Sequence, residues 1–191
     1  MRVIAGEFRS RRLKGLPGRS QGQRPTSDRV RESVFNMLGE TVKSARFLDL
    51  FAGTGAVGIE ALSRGARAAT FVENSPAAVR VLRENAAMLG LGGRATIIPR
   101  DAVSWLKSAE ARTGGFDVVY MDPPYASGVQ MAVLELLGRG TLLAQEAVVL
   151  MERKEPLDAD RAGGLYREES RKYGKTHIET WRIRPATNGS G

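Results

Sequence analysis

Residues 47–58 read FLDLFAGTGAVG, and they contain the strongest fold signal in the chain. The first five residues, 47–51, are mostly apolar and predict a buried strand. Glycines then stand at positions 53, 55 and 58, in the spacing Gly-x-Gly-x-x-Gly, at the start of a helical pattern over residues 57–63. Because glycine has no Cβ, a ligand can lie against such a turn, and the start of the helix offers free N–H groups. The stretch predicts a strand, a turn and a helix around a nucleotide-containing cofactor, although a tight turn without a ligand has the same pattern.

Strand and helix patterns alternate along most of the remaining chain. Besides residues 47–51, we expect strands at residues 68–73, 95–99, 116–121 and 147–151. Helical patterns cover residues 26–38, 57–63, 76–89, 102–107 and 130–137. This alternation predicts an α/β fold with a doubly wound, mostly parallel sheet. Residues 165–172 and 177–183 lack a helical period and predict a C-terminal antiparallel hairpin.

Carboxylates stand at the ends of four predicted strands, namely Asp49, Glu73, Asp101 and Asp122. In a parallel sheet these ends meet at one edge, where ligands bind. Glu73, with Asn74 beside it, is suited to ribose hydroxyls, and Asp101, with Ala102, to an adenine amino group. Glu73 and Asp101 could equally begin helices, and Asp49 could meet the cofactor or only order the glycine turn. Either S-adenosylmethionine or a nicotinamide dinucleotide is compatible with these features.

The tetrapeptide Asp122-Pro123-Pro124-Tyr125 constrains the chemistry most tightly. Its prolines fix φ and lack N–H groups, so the loop is stiff and its carbonyl oxygens have no local partners. A carboxylate and a carbonyl oxygen can accept the two hydrogens of an exocyclic amine, while the tyrosine ring can stack on a base. The tetrapeptide predicts a pocket for a nucleobase amino group, with a strand-terminating turn as the alternative.

The net charge of +8 is concentrated near the N terminus. Residues 1–46 contain 11 Lys and Arg against 4 Asp and Glu. Clustered cations release counterions from a phosphate backbone, so a nucleic-acid partner is favoured over a merely solvated basic segment. The candidates for phosphate contact are Arg9, Arg11, Arg12, Arg24, Arg29 and Arg31. Arg29 and Arg31 could instead only flank a helix.

Composition limits the remaining function classes. A chain of 191 residues with 42% apolar residues fits one domain. Without cysteine it has no disulfide or thiolate nucleophile, and the single His177 argues against a metal site. No apolar stretch is long enough to span a bilayer, and the first residues lack a signal-peptide core, so we expect a cytoplasmic protein. We also expect a monomer. We expect a basic extension over residues 1–26 that packs on the core, a catalytic domain over 27–184 and a disordered tail over 185–191.

The motifs taken in order resemble those of class I S-adenosylmethionine-dependent amino methyltransferases, which have a Rossmann-like fold. The residues that carry this resemblance are Asp49 through Gly55, Glu73, Asp101 and Asp122 through Tyr125, with Phe51, Gly53 and Gly55 in the cofactor turn. Together with Arg24-Pro25-Thr26, Arg29 through Glu32 and Tyr173-Gly174-x-Thr176, the pattern is similar to the RsmD family. The resemblance implies transfer of a methyl group from S-adenosylmethionine to N2 of a guanine in 16S ribosomal RNA, in an assembled or assembling small subunit.

Three alternatives stay open at this stage. DNA amino methyltransferases share the tetrapeptide, so adenine N6 methylation of DNA or RNA remains an alternative. A nicotinamide-dependent oxidoreductase would use the glycine turn and Glu73 but leaves the tetrapeptide unexplained. A non-catalytic RNA-binding assembly factor would explain the basic segment but not the intact tetrapeptide.

Overall fold

A computed structural model describes residues 1–17, 25–108, 115–124 and 128–183. Its helices are α1 (Pro25–Leu38), α2 (Ala56–Ser63), α3 (Pro76–Met88), α4 (Ala102–Leu106) and α5 (Val129–Arg139). Its strands are β1 (Arg46–Leu50), β2 (Ala68–Val72), β3 (Ala95–Ile98), β4 (Phe116–Met121), β5 (Leu143–Arg153), β6 (Arg161–Ala162), β7 (Leu165–Tyr173) and β8 (Thr176–Ile183). Short 3-10 helices cover Gly39–Val42 and Gly92–Arg94.

The strands form one sheet in the order β3-β2-β1-β4-β5-β8-β7-β6. Strands β1 to β5 run parallel, and β8, β7 and β6 continue the sheet in antiparallel fashion. The predicted doubly wound sheet with its C-terminal hairpin is therefore confirmed. Strand β1 lies between β2 and β4, so the chain reverses its direction of sheet growth at β1. A sheet of this kind opens a crevice at that point, beyond the carboxyl ends of the strands.

Helices cover both faces of the sheet, so the central parallel strands β1 and β4 are buried on both sides. One core cluster contains Phe47, Phe71 and Tyr120 from the sheet with residues of α1, α2 and α3. The other contains Leu48, Val119 and residues of α4 and α5. Alternate residues of one strand thus enter different cores, and the same alternation decides which strand-end side chains share a face.

The N-terminal segment, residues 1–17, is folded onto the helices. Val3, Phe8 and Leu13 are buried in the first core, and Arg2 and Arg12 form an antiparallel bridge. A buried carboxylate in α2, Glu60, accepts hydrogen bonds from the backbone N–H groups of Ile4 (2.7 Å) and Ala5 (3.0 Å). The sequence pattern gives no sign of this anchor, because Glu60 is a single acid within an apolar helix.

The position of Arg31 contradicts its predicted contact with an RNA phosphate. Its side chain is only 4% exposed and lies between Glu60, at 3.7 Å, and Asp28, at 3.2 Å. It also donates to the carbonyl oxygen of Arg2 at 2.6 Å. A buried guanidinium engaged in this way cannot reach an RNA phosphate, so Arg31 joins α1 to the N-terminal segment and α2.

Several predicted boundaries differ slightly from the structure. Strand β5 is longer than expected, and β6 was not predicted. Helix α1 begins at Pro25, so the expected domain boundary after residue 26 falls inside its first turn. Arg24, Tyr125 and the tail over 185–191 lie outside the described residues. Within the described ranges, no helix has the length and apolar character needed to cross a membrane.

Candidate active site

The glycine turn after β1 combines an open surface with tightly packed neighbours. Gly53 has φ +56°, and a Cβ built there would meet nothing within 4 Å. A Cβ on Gly55, at φ +82°, would lie 2.2 Å from Leu82, and one on Gly58 would lie 2.3 Å from the Phe71 ring. Gly55 and Gly58 are therefore needed for packing of the turn and of α2. Gly53 alone leaves room for a ligand against the backbone.

The residue that leaves β1 is under backbone strain. Phe51 has φ +63°, in the left-handed region that non-glycine residues rarely adopt. Its half-buried ring packs against the second core, which holds it there. Strain of this kind costs about 1–3 kcal/mol and tends to occur at ligand sites.

Glu73 supports the turn from the end of β2. One carboxylate oxygen accepts from the N–H of Gly53 and the other from the N–H of Ser75, both at 2.7 Å. The side chain is buried, while the adjacent Asn74 is exposed. Each carboxylate oxygen can accept a second hydrogen bond, so Glu73 can orient the loop and still receive a ligand hydroxyl.

Asp49 lies fully buried under the same turn. Its Oδ2 accepts from the N–H of Gly58 at 2.9 Å, which fixes the start of α2. The pKa of Asp49 is raised to about 7, chiefly by burial; the hydrogen bond from Gly58 opposes this rise, and the negative charges of Asp122 and Glu73 add to it. Asp49 therefore orders the loop, one of its two expected roles, and adds negative charge beneath the crevice.

Asp122 follows β4 on the other side of β1 from Glu73. Its side chain is exposed, and no described residue donates a hydrogen bond to it. Surrounding protein and, second, the negative charge of Glu152 raise the pKa of Asp122 to about 7. Pro123 is buried, and the carbonyl oxygen of Pro124 accepts from Gln130 of α5 at 3.4 Å. The loop is thus fixed while its carboxylate remains available.

Two residues that sequence reasoning missed stand beside Asp122. Tyr120, 5% exposed, donates its hydroxyl to Oε2 of Glu152 at 2.6 Å. Burial and the charge of Glu152 raise the pKa of Tyr120 well above its ordinary value, so the hydroxyl keeps its proton. A signal for Glu152 was present, because this acid follows the predicted strand 147–151 as the other acids follow theirs.

The remaining predicted cofactor residues lie farther along the same edge. Asp101 caps α4 by accepting from the N–H of Ser104 at 2.8 Å, and its side chain is exposed. Ala102 is buried at the first position of that helix. Because β3 neighbours β2, the strand-end acids follow one another across the edge as Asp101, Glu73, the glycine turn and Asp122.

A buried asparagine links the N-terminal segment to the glycine turn. The Asn85 amide group of α3 donates to the carbonyl oxygens of Lys14 (3.2 Å) and Thr54 (3.0 Å). Its oxygen accepts from the N–H of Lys14 at 2.8 Å. The segment that carries Arg9, Arg11 and Arg12, all exposed, therefore ends beside the crevice. Arg29 is exposed on α1.

Comparison with known proteins places this geometry in a family. The family model described as "Conserved hypothetical protein 95" matches residues 1–182. Ribosomal RNA small subunit methyltransferase D of Escherichia coli (strain K12) is 41% identical over 152 residues, which are 80% of this chain and 74% of that protein. YlbH of Bacillus subtilis (strain 168) is 36% identical over 185 residues, 96% of this chain and 100% of that protein.

Solved structures agree with this relationship. The Escherichia coli methyltransferase yhhF superposes with a TM-score of 0.83 at 33% identity, covering 96% of this chain and 98% of that one. The Thermus thermophilus 16S rRNA N2 G1207 methyltransferase, solved with AdoMet and guanosine, shares the fold at a TM-score of 0.67 and 22% identity, over 86% of this chain and 45% of that one. From the glycine turn, the acid-lined crevice and these relatives, we conclude that the chain belongs to the RsmD family of S-adenosylmethionine-dependent ribosomal RNA methyltransferases.

Proposed function

We propose that this protein methylates the exocyclic N2 amine of a guanine in 16S ribosomal RNA of the small ribosomal subunit. The observation that carries the proposal is the Asp122 carboxylate, which is rigidly placed beside the glycine turn and receives no hydrogen bond from the described part of the chain. An unpaired acceptor at this position fits a donor such as an amino group. The name of the 41% identical Escherichia coli protein supports ribosomal RNA of the small subunit as the target.

The residues of the crevice fit S-adenosylmethionine. The open surface over Gly53 and the strained Phe51 would accommodate the body of the cofactor, and Glu73 with Asn74 would hold the ribose. Asp101 and Ala102 lie one strand farther, where the adenine would extend, and Asp49 with Gly55 forms the floor. When bound, the cofactor would supply an electrophilic methyl group. The amine nitrogen would take this group as the sulfur–carbon bond breaks and would lose one proton, by way of the Asp122 carboxylate, to solvent.

The residues of this chain contribute to the reaction mainly by positioning the amine. Ionised Asp122 and the Pro123 carbonyl oxygen would accept the two amine hydrogens and direct the remaining lone pair toward the methyl group. For Tyr125, which lies outside the described residues, we propose the role of stacking on the base. Orientation of this kind can lower the barrier to transfer by several kcal/mol. Reacting groups that are aligned about 3–3.5 Å apart therefore need no strong base. The base must leave its stack to enter the crevice, at a cost of a few kcal/mol. We propose that the phosphates are contacted by the exposed Arg9, Arg11, Arg12 and Arg29. Arg24, which lies outside the described residues, is proposed for the same role.

The test uses small subunits from a strain that lacks the enzyme, with radiolabelled S-adenosylmethionine and nucleoside mass spectrometry of the product. We expect N2-methylguanosine from the wild type and loss of transfer by Asp122→Ala, with cofactor affinity retained in calorimetry. Glu135→Ala is the matched control, because this acid lies in α5 and makes only a surface pair with Arg139. N6-methyladenosine as the product, or normal turnover by Asp122→Ala, would contradict the proposal.

A further inference from the structure

Two carboxylates stand side by side where the base would enter. Met121 of β4 is in register with Met151 of β5, so Asp122 and Glu152 follow at neighbouring positions. Tyr120 and Leu150, two residues before them, both belong to the first core cluster. Because side chains alternate along strands, Asp122 and Glu152 lie on that same face of the sheet.

Glu152 is held in one orientation. Its Oε2 accepts from the Tyr120 hydroxyl at 2.6 Å, and Tyr120 is itself buried. Its Oε1 receives no hydrogen bond from any residue that the structure describes. Asp122 likewise has both oxygens available. The pair therefore presents several fixed acceptors and no donor to whatever enters from solvent.

This arrangement is unfavourable without a ligand. Burial raises the pKa of Glu152, and the charge of Glu152 contributes to the raised pKa of Asp122. Two adjacent acids resist joint ionisation, and nearby N–H donors relieve that repulsion. A ligand with several adjacent donors fits the pair best, whereas one that presents an acceptor to it would be repelled.

Purine bases differ in this respect. Next to its exocyclic amine, guanine carries a ring N1–H, which is a third donor on the same edge. Adenine carries a bare N1 there, which is an acceptor. We propose that Glu152, oriented by Tyr120, is the specificity-determining residue that accepts the N1–H of guanine while Asp122 holds the N2 amine. The inference rests on the proposed function and adds to it a residue that selects guanine over adenine.

The substitution Glu152→Gln tests this role with unusual selectivity. The Tyr120 hydroxyl is a donor, so it will bind the oxygen of the new amide and turn its NH2 group toward the base. An acceptor is then replaced by a donor at the same place. Guanine N1–H becomes mismatched, whereas 2-aminopurine, which keeps the 2-amino group but has an unprotonated N1, becomes matched.

The experiment measures single-turnover transfer to small subunits reconstituted with guanine or 2-aminopurine at the nucleotide that mass spectrometry identifies. A site that hydrogen-bonds its substrate rejects an analogue lacking the donor by about 100-fold or more. We expect the wild type to prefer guanine by about that factor and Glu152→Gln to lose or reverse the preference. Glu155→Gln, an exposed acid just beyond β5, should keep the wild-type preference.

Binding of S-adenosylhomocysteine, measured by calorimetry, provides a readout that does not depend on transfer. It should be unchanged in Glu152→Gln, which shows that the fold and the cofactor crevice are intact. If Glu152→Gln slows transfer but keeps the wild-type ratio of guanine to 2-aminopurine, the assigned role is wrong. Equal transfer to both bases by the wild type would also overturn it. If the wild type transfers no methyl group to guanine at all, the proposed function fails, and this inference fails with it.

Discussion

The buried acid beneath the glycine turn should make the stability of this protein depend on pH. Asp49 ionises with a pKa of about 7 in the folded protein, against the ordinary value of 3.8 that applies to the unfolded chain. An acid with a raised pKa stabilises the fold while it is protonated. That contribution is fully present below about pH 3.8, is lost progressively as the pH rises, and is gone above about pH 7.

The magnitude follows from the size of the shift. A shift of roughly three pKa units at about 1.4 kcal/mol per unit corresponds to a loss of up to about 4 kcal/mol above neutral pH. Roughly 2.5 kcal/mol of that loss falls between about pH 5 and about pH 8. Asp49→Asn removes the ionisation, and its amide oxygen can still accept from the N–H of Gly58.

The assay is urea unfolding of wild type and variant across this range. We expect the free energy of unfolding of Asp49→Asn to exceed that of the wild type at about pH 8 and the two to approach each other at about pH 5. The variant should also bind the cationic S-adenosylmethionine more weakly, because a negative charge beneath the crevice is lost. Asp101→Asn, at an exposed helix cap where asparagine serves equally well, is the control for unfolding only and should keep the wild-type dependence of the unfolding free energy on pH. If Asp49→Asn retains the wild-type dependence on pH, the reasoning about the buried charge is refuted.

Three further outcomes are expected. In a pH–rate profile, kcat/KM should rise about tenfold per pH unit up to about pH 7 and then level off, because Asp122 must be ionised to accept the amine hydrogens. A flat profile would count against this role of Asp122. Gly53→Ala should lower the free energy of unfolding in urea by only about 1 kcal/mol, because the backbone is left-handed there but the new Cβ meets no neighbour. The same Cβ should weaken cofactor binding in calorimetry, because it occupies the open space beside the turn. Gly55→Ala should lower the free energy of unfolding by several kcal/mol, because its Cβ would collide with Leu82. Equal unfolding free energies for the Gly53 and Gly55 variants would contradict this packing argument. Arg31→Ala should cost about 1–3 kcal/mol in unfolding, because the carbonyl oxygen of Arg2 loses its donor and the buried Glu60 keeps only the Arg64 guanidinium as its charged partner. Arg11→Ala should change the unfolding free energy by less than about 0.5 kcal/mol and should instead weaken RNA binding and its salt dependence. An Arg31→Ala variant that is as stable as the wild type but binds RNA more weakly would instead support a direct phosphate contact by Arg31.

Much of the fold could be predicted because its signals are local. The glycine turn at residues 53–58 and the apolar runs on either side of it predict strand, turn and helix from neighbouring residues alone. Acids at successive strand ends then meet at one edge, since parallel strands end on the same side of a sheet. Elements with weaker signals were missed or misplaced, such as the two-residue β6, because short strands depend on their partners.

The roles of individual charged residues could not be predicted in the same way. Arg11 and Arg31 look alike in the sequence, yet one is exposed and the other is buried between acids contributed by α1 and α2. Gly53 and Gly55 are equivalent in the motif, but only the folded chain places Leu82 against one of them. Burial and charge pairing depend on residues far apart in the chain, so they have no local signature.

Local sequence signals were sufficient to predict the order of strands and helices, the cofactor turn and the stiff acidic loop, because backbone preferences and hydrophobic periods act over a few residues. The tertiary structure alone decided that Tyr120 binds Glu152, that Glu152 stands beside Asp122, and that Glu60 and Asn85 hold the N-terminal segment against the helices. Strand register and helix docking create these contacts, and both are set by packing of the whole chain rather than by any one segment.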